Sequence, residues 1–454
     1  MSVSIIVEQL ENKNILLLGF GREGKSSYAF IRKHLPSVCI TIADKNPVTD
    51  TSVTNDIYTK LITGNDYLNT ISDYDIVLKS PGISLKEHLF CIDTSKISSQ
   101  TNLFLQAFAP QCVGITGTKG KSTTTSLLYH ILASTDKDVL IAGNIGLPVF
   151  EILDTINPRT KIVLELSSHQ LEFIRKSPHI SILLNLFEEH LDHYCSFLDY
   201  QQAKFNIARY QSENDYFIYN TTDNLIVDLL KSNPVSSNII GFSLAENTTS
   251  ASYIDNSYFC FLKSGQQNKL LKITEKFPLK GEHNLLNTTA VVAALQCMET
   301  VNLTEIGNAI YSFKGLPHRL EFVGEVDGVF FYNDSISTIV EATIAAIKAL
   351  GNVNTVILGG FDRGIDYQSL VDFIELSQVK NLIFTGEAGK RMMNLFNNSK
   401  KNLYFKTAYS DIVALAKQCT QKGKICLLSP AAASYDQFKN FEHRGEVFKE
   451  LLEK

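Results

Sequence analysis

Apolar residues in this chain fall in short unbroken runs, each stopped by glycine or a small polar residue. Asn14–Leu18, Cys39–Ala43, Tyr74–Lys79, Cys112–Ile115, Asp138–Ala142, Lys161–Leu166 and Ile180–Asn185 fill the first half; Gly328–Tyr332, Thr355–Leu358, Asn381–Phe384 and Ile425–Leu428 follow in the second. Runs this short, without polar alternation, predict strands covered on both faces, as in a parallel sheet. Between them lie helix-compatible stretches from Lys25 to His34, Thr124 to Leu132, Gly281 to Leu295 and Val340 to Ile347. Strand and helix alternating in this way predict an α/β fold. Residues 220–280 depart from the pattern and read as short strands with polar turns, such as Tyr258–Leu262.

Composition narrows the class. At 454 residues the chain is too long for one core, and roughly two to four domains are expected. Hydrophobic content of 44% and charged content of 20% fit a soluble globular protein. A net charge of −5 makes no electrostatic case for nucleic acid. The eight cysteines include no C-x-x-C pair, which argues for a reducing compartment and against a disulfide framework or structural zinc; most are expected to be buried thiols. The N-terminus lacks a basic region followed by a long apolar one, and no apolar run is long enough to span a bilayer. A cytoplasmic location, no membrane insertion and a monomer are expected.

Two glycine turns carry the candidate chemistry. Residues 113–123 read V-G-I-T-G-T-K-G-K-S-T, a strand, a glycine loop, Gly-Lys-Ser and a helix. Backbone N–H groups and the helix start would face phosphate oxygens, Lys121 would add a full charge, and Ser122 a hydroxyl for Mg²⁺. The strict phosphate-loop pattern would place glycine at position 115, where Ile115 stands. Earlier, Gly19–Phe20–Gly21–Arg22–Glu23–Gly24 follows the first strand, and the second strand ends at Asp44. This G-x-G-x-x-G turn with its acid about twenty residues on is the dinucleotide fingerprint, though the same turn suits any diphosphate or ribose-bearing ligand. Ser80–Pro81–Gly82 ends the third strand and reads equally as a ligand contact or as an ordinary Pro-Gly turn.

Other residues gain meaning from position. Glu165 ends an apolar strand, where an NTPase needs a carboxylate for Mg²⁺. His190, His193 and Cys195 raise zinc, but no fourth ligand stands at a recognised spacing. Lys204 by itself reads as a solvated helical lysine. Asn284 and Asn287 share a helix face and suit either a nucleotide or a helix cap. Beyond residue 315, strands ending near Asp334, Arg363 and Ser434 suit a small charged co-substrate.

Four motifs together resemble the Mur ligases, which add amino acids to the peptidoglycan precursor, and within them the glutamate-adding branch. They are T-G-T-K-G-K-S-T at 116–123, L-E-L-S-S-H-Q-L-E at 164–172, G-L-P-H-R-L-E at 315–321 and L-S-P-A-A-A-S-Y-D-Q-F-K-N-F-E-H-R-G at 428–445. The resemblance spans nearly the whole chain. It implies a Rossmann-like domain for the UDP precursor at 1–107, a central P-loop ATPase at 108–315 and a C-terminal Rossmann-like domain for glutamate at 316–454. It also implies ATP-driven ligation of glutamate to UDP-N-acetylmuramoyl-L-alanine through an acyl phosphate, with two Mg²⁺ ions.

Residue by residue, the resemblance assigns Gly19, Phe20, Gly21, Arg22, Asp44, Lys45, Ser80, Pro81 and Gly82 to the UDP precursor. ATP falls to Gly117, Thr118, Lys119, Gly120, Lys121, Ser122, Thr123, Asn287, Arg319 and Asp334. Ser122, Glu165, His190 and a carbamylated Lys204 take the metal ions, and Asn144 lies near the reacting groups. Thr338, Arg363, Ser434, Tyr435 and Phe441 take glutamate. One position departs: the D-glutamate branch usually reads N-D-S-K-[AS]-T-N, and here Ile336 replaces that lysine while Arg363 stands where a second lysine is usual. Arg363 can grip a carboxylate bidentately, so D-glutamate is expected, with L-glutamate as the alternative. The more remote alternatives are an NAD-dependent oxidoreductase, a folate polyglutamate ligase, against which the N-terminal glycine turn argues, and a nucleotide-binding scaffold without catalysis.

Overall fold

A computed structural model describes residues 2–69, 71–136, 138–263, 265–298, 303–397 and 399–453. The chain forms two compact units, Met1–Lys276 with Leu286–Tyr311, and Phe277–Leu285 with Ser312–Lys454.

The first unit holds two sheets. In the first, all strands are parallel, in the order Thr59–Thr63, Ile40–Asp44, Ile15–Leu18, Ile76–Lys79, Ile97–Ser98. Ile15–Leu18 is central and wholly buried, as its unbroken apolar run predicts. The chain order reverses beside it, so the turn after it faces the crevice where such sheets hold ligands. The following helix, Arg22–His34, begins three residues before the expected Lys25. The glycine motif is therefore half turn and half helix. A Cβ on Gly24 would lie 2.2 Å from the Gly19 carbonyl, so this position needs glycine for close packing.

The second sheet has nine strands. Cys112–Thr116 lies between Lys161–Glu165 and Ile180–Leu183, with Val139–Gly143 at one edge, all parallel. Tyr216–Asn220, Asn238–Phe242 and Ser250–Asp255 extend it, and the antiparallel strands Tyr258–Lys263 and Gln266–Lys272 finish it. These last account for the polar-turn texture of 220–280. The loops after the three central strands emerge side by side, and helix Lys121–Thr135 starts directly from the first of them.

The second unit carries a six-stranded sheet in the order Glu321–Val326, Val329–Asn333, Ile425–Leu428, Val353–Gly359, Asn381–Thr385, Asn402–Phe405, with only the first pair antiparallel. Asp334, Gly360 and Ser429 thus follow the ends of three adjacent strands. Of the expected domain limits, 107/108 falls in the last turn of helix Gln100–Phe108, and 315/316 lies just beyond the unit limit at Tyr311.

Two expectations change. Only Cys112, Cys260 and Cys426 are buried and Cys297 and Cys419 are half-buried, while Cys39, just before strand Ile40–Asp44, and Cys91 and Cys195, in turns, are exposed. Helix Ser2–Leu10 was not read from sequence, though Ile6 and Leu10 repeat at helical spacing and are buried. Among the described residues no helix is long and apolar enough to cross a membrane.

Candidate active site

The loop from Gly117 to Gly120 is shaped by its own backbone. Both glycines have positive φ, +156° and +87°, and a Cβ on Gly120 would meet the Asn287 Oδ1 at 2.5 Å. Asn185 braces the loop from the neighbouring strand end: its Oδ1 accepts from Lys119 N at 2.8 Å and its Nδ2 donates to Lys119 O at 3.0 Å. Thr118 Oγ1 lies 2.8 Å from the Tyr200 hydroxyl, and Lys119 pairs with Glu189. The expected phosphate residues therefore share one rigid turn, with Ser122 and Thr123 in the first turn of the helix.

Two lysines converge on one carbonyl. Lys121 Nζ donates to Gly117 O and Thr118 O, both at 3.0 Å. Lys204 Nζ, from helix Phe197–Arg209, donates to the same Gly117 O at 2.8 Å and lies 5.0 Å from the Tyr200 ring centroid. Lys204 is only 2% exposed, so the reading of a solvated lysine is wrong: tertiary packing draws this side chain inward. Burial first, and then the like charge of Lys121, drives its ammonium well below the usual lysine range.

Glu165 ends the adjacent strand and is 1% exposed. Its Oε1 accepts from Asn144 Nδ2 at 2.6 Å, and its Oε2 is buried with no hydrogen-bond partner among the described residues. The Thr116 hydroxyl, which sequence reading passed over, is buried and unpartnered in the same way. His190 has positive φ (+60°), and its half-exposed ring lies 4.8 Å from that of His169. Burial, and the charges of Lys204 and Lys121 against Glu189, hold the His190 imidazole below its ordinary value. Among the described residues no group of three or more His, Cys, Asp or Glu is placed to hold a metal ion. The oxygen donors of Ser122 and Glu165 suit a hard cation such as Mg²⁺, and the lone Glu165 Oε2 fits one.

The N-terminal turn is equally closed. Phe20 N donates to Asp44 Oδ2 at 2.7 Å, and Ser80 Oγ donates to Gly19 O at 2.9 Å. The three segments that sequence reading singled out thus meet at the ends of three neighbouring strands. Gly21, Lys45 and Gly82 are exposed beside them, and Pro81 is half-buried. Arg22 donates to Gly146 O at 2.7 Å, joining this turn to the loop of Asn144.

In the second unit, exposed Arg363 donates to Thr338 O at 2.8 Å, within two residues of Ile336. Ser434 is buried, Tyr435 exposed, and Phe441 O accepts from Ser335 Oγ at 2.8 Å. Asp334 is 2% exposed; its Oδ1 accepts from Leu320 N and its Oδ2 from Ser429 Oγ. Burial raises its carboxyl to about 6. Arg319 Nε is buried without a partner among the described residues. Sequence reading missed Arg444, which is 1% exposed. It donates to Ser335 Oγ and O, Ala432 O and Ala433 O, pinning together the loops that carry Asp334 and Ser434. Its only sequence signal was membership of the 428–445 motif.

Residues 115–295 match the family model described as the Mur ligase middle domain. Over 456 residues the chain is 32% identical to a UDP-N-acetylmuramoylalanine–D-glutamate ligase of Clostridium kluyveri, covering 97% of this chain and 96% of the relative. It is likewise 32% identical to the protein of that name from Caldicellulosiruptor bescii, covering 98% of each. Among solved structures, MurF from Acinetobacter baumannii matches with a TM-score of 0.61 at 16% identity, over 94% of this chain and 88% of that one. The nicotinamide alternative gains no support from these relatives.

Proposed function

The chain belongs to the Mur ligase family, and from that premise we propose that it joins D-glutamate to UDP-N-acetylmuramoyl-L-alanine with the cleavage of ATP to ADP and phosphate. A carboxylate is a poor acyl donor, so the alanyl carboxylate oxygen first attacks the γ-phosphorus and ADP leaves. The glutamate amine then attacks the acyl-phosphate carbonyl carbon, loses a proton, and phosphate departs. The observation that carries the reading is the meeting of Lys121 and Lys204 on the Gly117 carbonyl, within electrostatic reach of Glu165.

In this reading the 117–123 loop holds the phosphates, and Lys121 offsets the charge that grows on them. Asn287 stands against Gly120 on the nucleotide side. Ser122 and Glu165 hold one Mg²⁺, and His190 with modified Lys204 holds a second. Bound magnesium would neutralise phosphate charge so that an anionic carboxylate can approach. The low basicity of Lys204 supports its modification: a neutral amine adds CO₂ and releases a proton, giving a carbamate anion where a cation needs one. Asn144 fixes the Glu165 carboxylate. Gly19–Arg22, Asp44, Lys45 and Ser80–Gly82 take the uridine diphosphate. Thr338, Arg363, Ser434, Tyr435 and Phe441 take glutamate, while Arg319 and Asp334 serve ATP.

Ile336 favours a second reading, L-glutamate as the substrate, because a carboxylate-binding lysine is replaced there. The test is phosphate release from ATP with the alanyl precursor and D- or L-glutamate offered separately. Release that requires the precursor and D-glutamate is expected. Release with L-glutamate alone would transfer the assignment to the other enantiomer, and release indifferent to both substrates would end the ligase reading.

A further inference from the structure

Away from the phosphate loop, the first unit buries a second set of charges to which no role has been given. Lys79 is the last residue of strand Ile76–Lys79, directly before Ser80–Pro81–Gly82, and is 3% exposed. Its Nζ lies 2.9 Å from Glu172 Oε2 and 5.6 Å from the Phe173 ring centroid. The same Glu172 oxygen is 3.2 Å from His193 Nε2. His193 O accepts from Ser84 Oγ at 2.7 Å, and His193 N donates to His190 O at 3.0 Å. The Glu172 carbonyl accepts from Asn206 Nδ2 at 3.3 Å, and Asn206 sits two residues from Lys204 on one helix. A separate tie joins the glycine turn to the same segment: Gln170 Nε2 donates to Glu23 Oε1 at 2.7 Å.

We propose that Lys79, acting through Glu172 and His193, is a positioning residue that sets the precursor-binding turn against the segments bearing Glu165, His190 and Lys204. The Glu172 carboxylate thereby indexes three pieces of chain, and its backbone carbonyl adds the helix of Lys204 as a fourth. A buried ion pair adds little net stability over a well-packed apolar pair of equal volume. What it adds is direction, because the ammonium, carboxylate and imidazole meet only in one register. The reaction needs that register: the precursor carboxylate must come within attack distance of the γ-phosphate, and an error of about 1 Å can cost about a hundredfold.

This inference rests on the precursor reading of Ser80–Gly82. The experiment uses the full chain and the double variant Lys79→Met/Glu172→Gln, which removes the charge pair and leaves His193 an acceptor. Expected are a melting temperature and ATP KM near those of the parent, with kcat/KM for UDP-N-acetylmuramoyl-L-alanine lowered about a hundredfold; Lys79→Arg, which keeps the pair, should retain part of that activity. Parental kinetics in the double variant would overturn the proposal, as would a loss of stability that carries ATP and precursor binding down together. A parent protein with no precursor-dependent phosphate release would instead defeat the underlying substrate reading, a result distinguishable in the same assay.

Discussion

Lys204 in the first unit and Arg444 in the second are 2% and 1% exposed, yet their surroundings differ. Arg444 places its donors on Ser335, Ala432 and Ala433, whose oxygens receive the planar fork in five hydrogen bonds. Lys204 has the Gly117 carbonyl, an aromatic face and a second lysine nearby. The acids repeat the contrast. Asp334 has both oxygens bonded, while Glu165 keeps one buried oxygen without a partner among the described residues. Burial alone therefore does not mark a reactive group. A charge satisfied on every side, as Arg444 is, organises loops, whereas Glu165 with one open oxygen is poised to meet a ligand; Asp334, with one donor on each oxygen, stands between the two.

The largest effect that would break this comparison is on stability. Arg444→Met strands several buried carbonyls and should destabilise the second unit by about 3–5 kcal/mol, read as a shift in denaturation midpoint. A stable variant with lost turnover would show that Arg444 belongs with the reactive groups. Lys204→Met should do the reverse: phosphate release falls about 10²–10³-fold while the melting temperature holds or rises, since a buried amine with a single hydrogen-bond acceptor is replaced by an apolar chain of similar length. Unfolding in place of that kinetic loss would erase the distinction.

The acid of the second unit gives a pH test. Below its unfolded value of 3.8 Asp334 is protonated in both states and costs nothing. As pH rises to about 6 the unfolded chain releases this proton before the folded one, so stability falls; the full deficit is about 3 kcal/mol. Asp334→Asn removes the term, so its melting temperature relative to the parent should climb between pH 4 and pH 7; a flat difference would exclude it. The smallest effect sharpens the loop. Gly120→Ala meets Asn287 with φ at +87° and should cost about 1–3 kcal/mol of strain. The ATP KM is then expected to rise about tenfold, with the precursor KM unchanged.

Much of the fold was legible because buried parallel strands write themselves as apolar runs ending at ligand loops. Gly19, Gly117 and Glu165 could be placed on strand ends from that pattern alone. The helix start at Arg22 could not, because the packing of Gly24 on Gly19 extends the helix into the motif. Lys204 was misread for a related reason: helical spacing says which side chains share a face, and only neighbours decide whether that face is wet. Glu172 closes the 164–172 motif, but nothing local pairs it with Lys79, since 93 residues of chain separate the partners of a 2.9 Å contact.

By itself the sequence determined the class of fold, the two glycine turns and the family, because backbone conformation and strand burial impose residue types locally. Tertiary structure decided which charges are satisfied. Desolvation and hydrogen-bond partners are properties of assembled neighbours, so only the folded chain distinguishes Lys204 from an ordinary helical lysine and Arg444 from a surface arginine.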